Sequence, residues 1–256
     1  MESLSKPWNG LSSILVLCVL LLAVGAQARE RIYVGAYDFP PYLVVEDGVP
    51  VGGITLTLMD HLNAHQGDYE FVLYFTSAAR RFNDLASGRF SLMLFENPAW
   101  GWSREQISAQ PLPQFFDDRE VYIARQEPGR NQDYFSDLTQ RRMAGILSYH
   151  YGFSDFNNNP DYLREEFNMI LVSTQSALIE LVLEGRAEIA VVSQVFLQQF
   201  LHANPDKVQQ ILVSDQHDQI YQHHVLAASE RAALVQQVLV WLAELAAADV
   251  LTMGEL

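Results

Sequence analysis

His61 and His65 stand four residues apart, on one face of any helix they share, and His217 precedes the adjacent pair His223-His224. A metal site needs three or more converging ligands with outer support, which these pairs do not supply by themselves, so no metal is expected. Nucleophilic catalysis finds no better footing. The chain has no Gly-x-Ser-x-Gly and no His-Glu-x-x-His, and its one cysteine, Cys18, lies in an apolar leader. A carboxylate such as Glu96 acting as a base is the enzymatic route left, and the expectation is a protein without enzymatic activity or cofactor.

Binding chemistry is better represented. Phe39 and Tyr42 flank a double proline, so either ring can stack on a guest at a chain turn, or Tyr42 packs on the helix that follows. Glu96-Asn97 closes a strand-like run, where a carboxylate either holds an ammonium or is a loop surface charge. Ser148-Tyr149-His150-Tyr151-Gly152 sets hydroxyls, an imidazole and flat rings side by side. That set suits a guest with an aromatic, cationic or hydroxylated part, or else forms a packed turn. Trp100 and Trp102 either wall a cleft or fill a core.

Several elements must carry these residues. Leu11 to Val24 is an apolar run too short to span a bilayer, and Ala26-Gln27-Ala28 follows as a small-x-small site. Residues 1–28 therefore read as a cleavable secretory signal, with an uncleaved anchor as the alternative. A net charge of −15 disfavours nucleic acid and anionic membrane surfaces. Hydrophobic residues at 49% allow real cores in what remains. Strands are expected at 31–37, 70–75 and 90–95, with helices at 54–62 and 78–86 between them, and a Trp- and Pro-bearing loop over 98–113. The alternation argues for parallel strands with crossover helices. A second such unit is expected from 143 to 202, after a strand at 119–125. Short strands at 208–213 and 223–228 and a long amphipathic helix at 231–247 close the chain. "LASGRF" and "LEGRAEI" repeat one joint, a helix ending at glycine before a central strand, where glycine takes a left-handed cap position.

The ordered set "YVGAYDFPPYLVVEDGVPVGG", "LASGRF", "SREQ", "PQFFDD", "LVLEGRAEIAVV" and "TMGEL" resembles the type 3 periplasmic solute-binding proteins of the polar amino-acid class. That resemblance implies an α/β, two-lobed periplasmic-binding-protein-like fold (type II). Its lobes would be 29–117 with a return segment 222–256, and 118–221, with ligand between them. It also implies Arg104 as the clamp of a ligand carboxylate, since a guanidinium meets that group through two parallel hydrogen bonds. Arg80 falls where a subgroup carries a second arginine, although Ala78 stands in place of that subgroup's aromatic residue. The second lobe departs from the pattern, because Ser148-Tyr149 replaces a small pair and Ser193 stands where an acidic residue holds the α-ammonium. The implied role is capture of a small polar or amino-acid-like, carboxylate-bearing solute in the periplasm by a monomer, for an inner-membrane ABC permease or a sensor. A sensory or interaction protein with a degenerate cleft is the alternative, and a dehydratase-type enzyme a more distant one.

Overall fold

The computed structural model describes residues 29–102, 105–113 and 116–248. The expected signal, Arg104 and the closing "TMGEL" lie outside the described residues. Among those described, no helix is long and apolar enough to cross a membrane.

The first sheet gathers β1 (Glu30–Ala36), β4 (Tyr69–Phe75), β5 (Leu92–Glu96), β6 (Ile107–Pro111) and β12 (His224–Ala228), in the order β4-β1-β5-β12-β6. The second gathers β7 (Asp118–Arg125), β8 (Met143–Ile146), β9 (Ile170–Val172), β10 (Ile189–Ser193) and β11 (Ile211–Tyr221), in the order β11-β7-β10-β8-β9. Each sheet obeys one rule. The first and third strands of a unit pair in parallel, β1 with β5 and β8 with β10, and an antiparallel strand then follows, β12 or β7. The chain crosses between the sheets twice, after β6 and after β11. A hairpin of β2 (Val44–Glu46) and β3 (Val49–Gly52) stands apart.

Central position shows in the sequence as unbroken apolar runs, since a strand covered on both faces has no solvent side. All residues of β5, Leu-Met-Leu-Phe-Glu, and of β10, Ile-Ala-Val-Val-Ser, are buried. Helix α1 (Ile54–His65) buries Ile54, Leu58 and Leu62, and α6 (Ala232–Ala247) buries Leu234, Val235, Val238, Trp241, Leu242 and Leu245. These spacings make one stripe per helix against the first sheet. There Trp241 meets Phe71 edge-on at 6.3 Å. On the second sheet, α4 (Gln175–Leu183) buries Leu178, Ile179 and Val182. The remaining helices are α2 (Arg81–Ala86), α3 (Pro160–Phe167) and α5 (Gln194–Ala203).

The repeated helix–glycine joint is a pair of matching caps. Gly88 at φ 69° donates its N–H to the Leu85 carbonyl, and Arg89 donates to Asp84. Gly185 at φ 71° donates to Val182, and Arg186 to Leu181. This is the Schellman arrangement, which satisfies the last helical carbonyls while turning the chain at once into a strand.

Three expectations need correction. Ile107–Pro111 is a strand inside the stretch expected to be a loop, and it pairs with β12 at the sheet edge. Residues 205–210 form a 3-10 turn, and the strand expected at 208–213 runs instead from Ile211 to Tyr221. Helix α2 starts at Arg81, because residues 78–80 form the turn before it.

Candidate functional site

The strand tips of both sheets meet at one place. From the first come Tyr37, Asp38 and Phe39, directly after β1, and Glu96 at the end of β5. From the second come Ser148, Tyr149 and His150, after β8, and Glu120 and Gln219 on β7 and β11. Two tip residues hold left-handed backbone, Phe95 at φ 57° and Ser148 at φ 69°. Such backbone costs a residue with a side chain about 1–2 kcal/mol, and here it immediately precedes Glu96 and Tyr149.

Direct bonds tie the two halves. Tyr149 donates its hydroxyl to the Asp38 carbonyl at 3.1 Å, and Trp100 donates its indole N–H to Gln219 Oε1 at 3.1 Å. The Tyr149 ring meets Phe39 and Tyr37 edge-on at 5.8 and 6.2 Å. The space left at the centre is about 10 Å3, lined by Tyr37, Phe39, Arg81, Trp100, Glu120 and their neighbours. One water fills that much room.

Arg81 supplies the cation at this junction, and its charge is already met. Its Nε lies 3.2 Å from Glu96 Oε1, with both side chains withdrawn from solvent. Its other nitrogens donate to the carbonyls of Trp100, at 2.9 Å, and Ala78. Its carbon sits 4.2 Å above the Phe82 ring. Trp102 donates to Glu96 Oε2 at 2.6 Å and stacks obliquely on Phe82, which makes it core, while Trp100 walls the cleft.

Glu120 has no such cation among the described residues. It accepts from the Tyr221 hydroxyl, at 3.4 Å, and burial, with Asp118 and Asp218 nearby, holds its carboxyl well above the usual range. Burial likewise raises Asp118 and Asp218, each partly offset by donors. For Asp118 the donors include Ser193 Oγ at 2.7 Å. Asp218 accepts from the backbone N–H of Gly152, at 2.7 Å, and of Phe153, at 2.8 Å. A Cβ at Gly152 would stand 2.2 Å from the Asp218 carbonyl oxygen. Gly152→Ala is therefore expected to force β11 off this turn and lower stability by about 1–3 kcal/mol in urea unfolding.

Placement of the sequence candidates follows. Phe39, Tyr149 and His150 line the centre. Burial, then Arg81, pushes the His150 imidazole down to about 4. Glu96 faces Arg81 rather than open cleft. Asn97 donates to the Gln222 carbonyl at 3.0 Å, at the second crossing between the sheets. Tyr151 turns into the second lobe's core, where its hydroxyl accepts from the Ile146 N–H at 2.5 Å and its ring stacks on Phe153. Ser193 caps α5 and holds Asp118. Arg80 is exposed and its neighbour Arg81 enters the junction, because consecutive residues at a helix start face different ways. Sequence reasoning missed Glu120 and Gln219, weighed His223 only as a metal ligand, and chose Arg80 where Arg81 enters the junction. Among the described residues, no group of three or more His, Cys, Asp and Glu could hold a metal. His65 instead meets Glu244 at 2.7 Å.

No protein-family model and no curated protein sequence matches the chain. Solved structures do. Holo ArgBP from T. maritima matches with a TM-score of 0.63 at 17% identity, over 84% of this chain and 90% of that one. A substrate binding protein of an ABC uptake transporter from Streptococcus pneumoniae, with bound histidine, matches with a TM-score of 0.65 at 15% identity, over 84% and 86%. A histidine kinase sensor domain with similarity to periplasmic binding proteins matches with a TM-score of 0.63 at 19% identity, over 87% and 92%. At these identities the likeness establishes the fold, two α/β lobes of the periplasmic-binding-protein kind.

Proposed function

We propose that this two-lobed α/β protein is an exported solute-binding protein that encloses a small polar, amino-acid-like molecule between its lobes. The observation that carries the reading is the convergence of rings and polar groups from both lobes on one junction, latched by the Tyr149–Asp38 and Trp100–Gln219 bonds. Open α/β sheets bind beyond the carboxyl ends of their strands, and both sheets point those ends here. Delivery would be to an inner-membrane permease or to a sensor, in the periplasm, with the protein acting as a monomer.

A second reading, a sensory or interaction protein with a degenerate cleft, draws on two facts. The centre keeps room for about one water, and Arg81 is neutralised from within by Glu96.

Solution scattering with a solute library separates the two. A solute-binding protein is expected to contract and to gain thermal stability with at least one polar amino acid or relative. If no compound changes either the radius of gyration or the melting temperature, solute capture is lost as an explanation. The carboxylate-clamping role implied for Arg104 is tested in the same titration, where Arg104→Ala is expected to weaken binding at least tenfold. Tyr149→Ala, which removes the latch and the ring, is expected to enlarge the radius of gyration of the unliganded protein. An unchanged radius would mean that Tyr149 does not hold the lobes together.

A further inference from the structure

Beside the sealed centre lies a groove of about 440 Å3, within the range small ligands occupy. The first lobe contributes Asp38, Phe75 and Ala78 to it, the second Leu147 and Thr174, and Tyr149 separates it from the centre. Its lining is predominantly apolar, with hydroxyls at one side, and among the described residues it contains no lysine, arginine or histidine. Asp38 is its half-buried charge. The Asp38 backbone carbonyl is taken by Tyr149, but its carboxylate meets no hydrogen-bond donor and no cation among the described residues. Burial alone accounts for its pKa, lifted to about 6. A carboxylate drawn out of water without a partner is unfavourable until a cation arrives. The exposed Asp47 at the groove's rim adds negative charge of the same sign.

We infer that this groove, not the sealed centre, takes the guest, and that the guest is a small organic cation: a protonated amine or guanidinium on an apolar body. The cationic head sits on Asp38 and the apolar body lies against Phe75 and Leu147. The inference rests on the solute-binding reading and goes beyond it by fixing place and charge. Among the described residues, Arg81 is the cation that lines the centre, and it is already paired with Glu96.

The test uses probes of one shape and three charges: phenethylamine, 2-phenylethanol and 3-phenylpropanoate, titrated calorimetrically into the mature protein at pH 8 and pH 5. Phenethylamine is expected to bind at least tenfold more tightly than the other two at pH 8. It should weaken severalfold at pH 5, where a proton competes for Asp38. Asp38→Asn is expected to abolish the preference for the amine, and Ala78→Trp, which fills the groove, to abolish binding; unchanged melting curves establish that both variants fold. Equal binding of amine and alcohol, preference for the carboxylate, or no binding at millimolar concentration would overturn the assignment. If a library solute closes the lobes while Asp38→Asn and Ala78→Trp leave its affinity unchanged, the groove is not the site and solute capture still stands. If nothing closes the lobes and no probe binds, both ideas fall together.

Discussion

Glu96→Gln is expected to cost about 3–5 kcal/mol of stability, the loss typical when one partner of a buried ion pair is removed. The reason lies in the exposures of the two side chains, 2% for Arg81 and 0% for Glu96, which leave the guanidinium no water to replace its partner. Glutamine keeps an acceptor for the Trp102 indole, so the loss reports the charge rather than the hydrogen bond. Arg81→Met should cost a similar amount. The double variant Arg81→Met with Glu96→Gln should lose less than the two singles added together, because no charge is then stranded. Arg80→Ala is the control; on the exposed face it should stay within about 0.5 kcal/mol of the parent. Urea unfolding of the four variants checks the set. Additive losses would mean that the two charges do not depend on one another.

His223→Leu is expected to raise stability at pH 7 by about 1–3 kcal/mol and to change the response to acid. His223 is fully buried among Phe39, Tyr42, Phe95, Trp100 and Tyr221, and among the described residues neither ring nitrogen completes a hydrogen bond of good geometry, although the Phe95 backbone stands close enough to interact. Burial pushes its pKa down to about 3, with the Phe95 backbone offsetting only part. The sign follows from linkage. A group held neutral in the fold but protonated near pH 6.5 when unfolded contributes stability that is fully present above 6.5 and drains as pH falls towards 3. Between pH 6.5 and 5 that loss is roughly 2 kcal/mol, and leucine removes it. Asp38, at about 6, and Glu120, raised by burial, act oppositely. Their folded values lie above their unfolded ones, so their contribution is full below about pH 4 and fades as pH rises through the folded values. Unfolding titrations at pH 7 and pH 5 should therefore show the parent losing more on acidification than His223→Leu. Identical slopes would mean that His223 stays uncharged in the unfolded chain as well, or finds a partner in the folded one.

The sheet-building segments were legible because burial on both faces writes itself as apolar runs: Ile189 to Val192 and Met143 to Ile146 could hardly be anything else. One edge strand and the later half of another escaped notice for the opposite reason. Ile107-Ser-Ala-Gln-Pro111 is an edge strand with few apolar residues, and the later half of β11, Ser214 to Tyr221, is mostly polar. That polarity marks work at the junction, since Asp218 holds the Gly152 turn and Gln219 bridges to Trp100 and to the His150 carbonyl. The site was legible only in part. Phe39, Tyr149 and His150 declared themselves as rings at strand tips. Glu120 did not, because in Asp-Arg-Glu-Val-Tyr it reads as the polar side of an alternating strand. Arg81 could not be told from Arg80 by type, only by direction, which the start of α2 decides.

At the two crossings, Leu112 donates its N–H to the His223 carbonyl at 2.8 Å, and Asn97 grips the Gln222 carbonyl beside it. The straps are thus riveted side by side rather than running independently, so they can fold like the spine of a book but cannot slip lengthwise past each other. A hinge between the lobes, rather than a slide along the straps, is then the expected motion on which a guest would act.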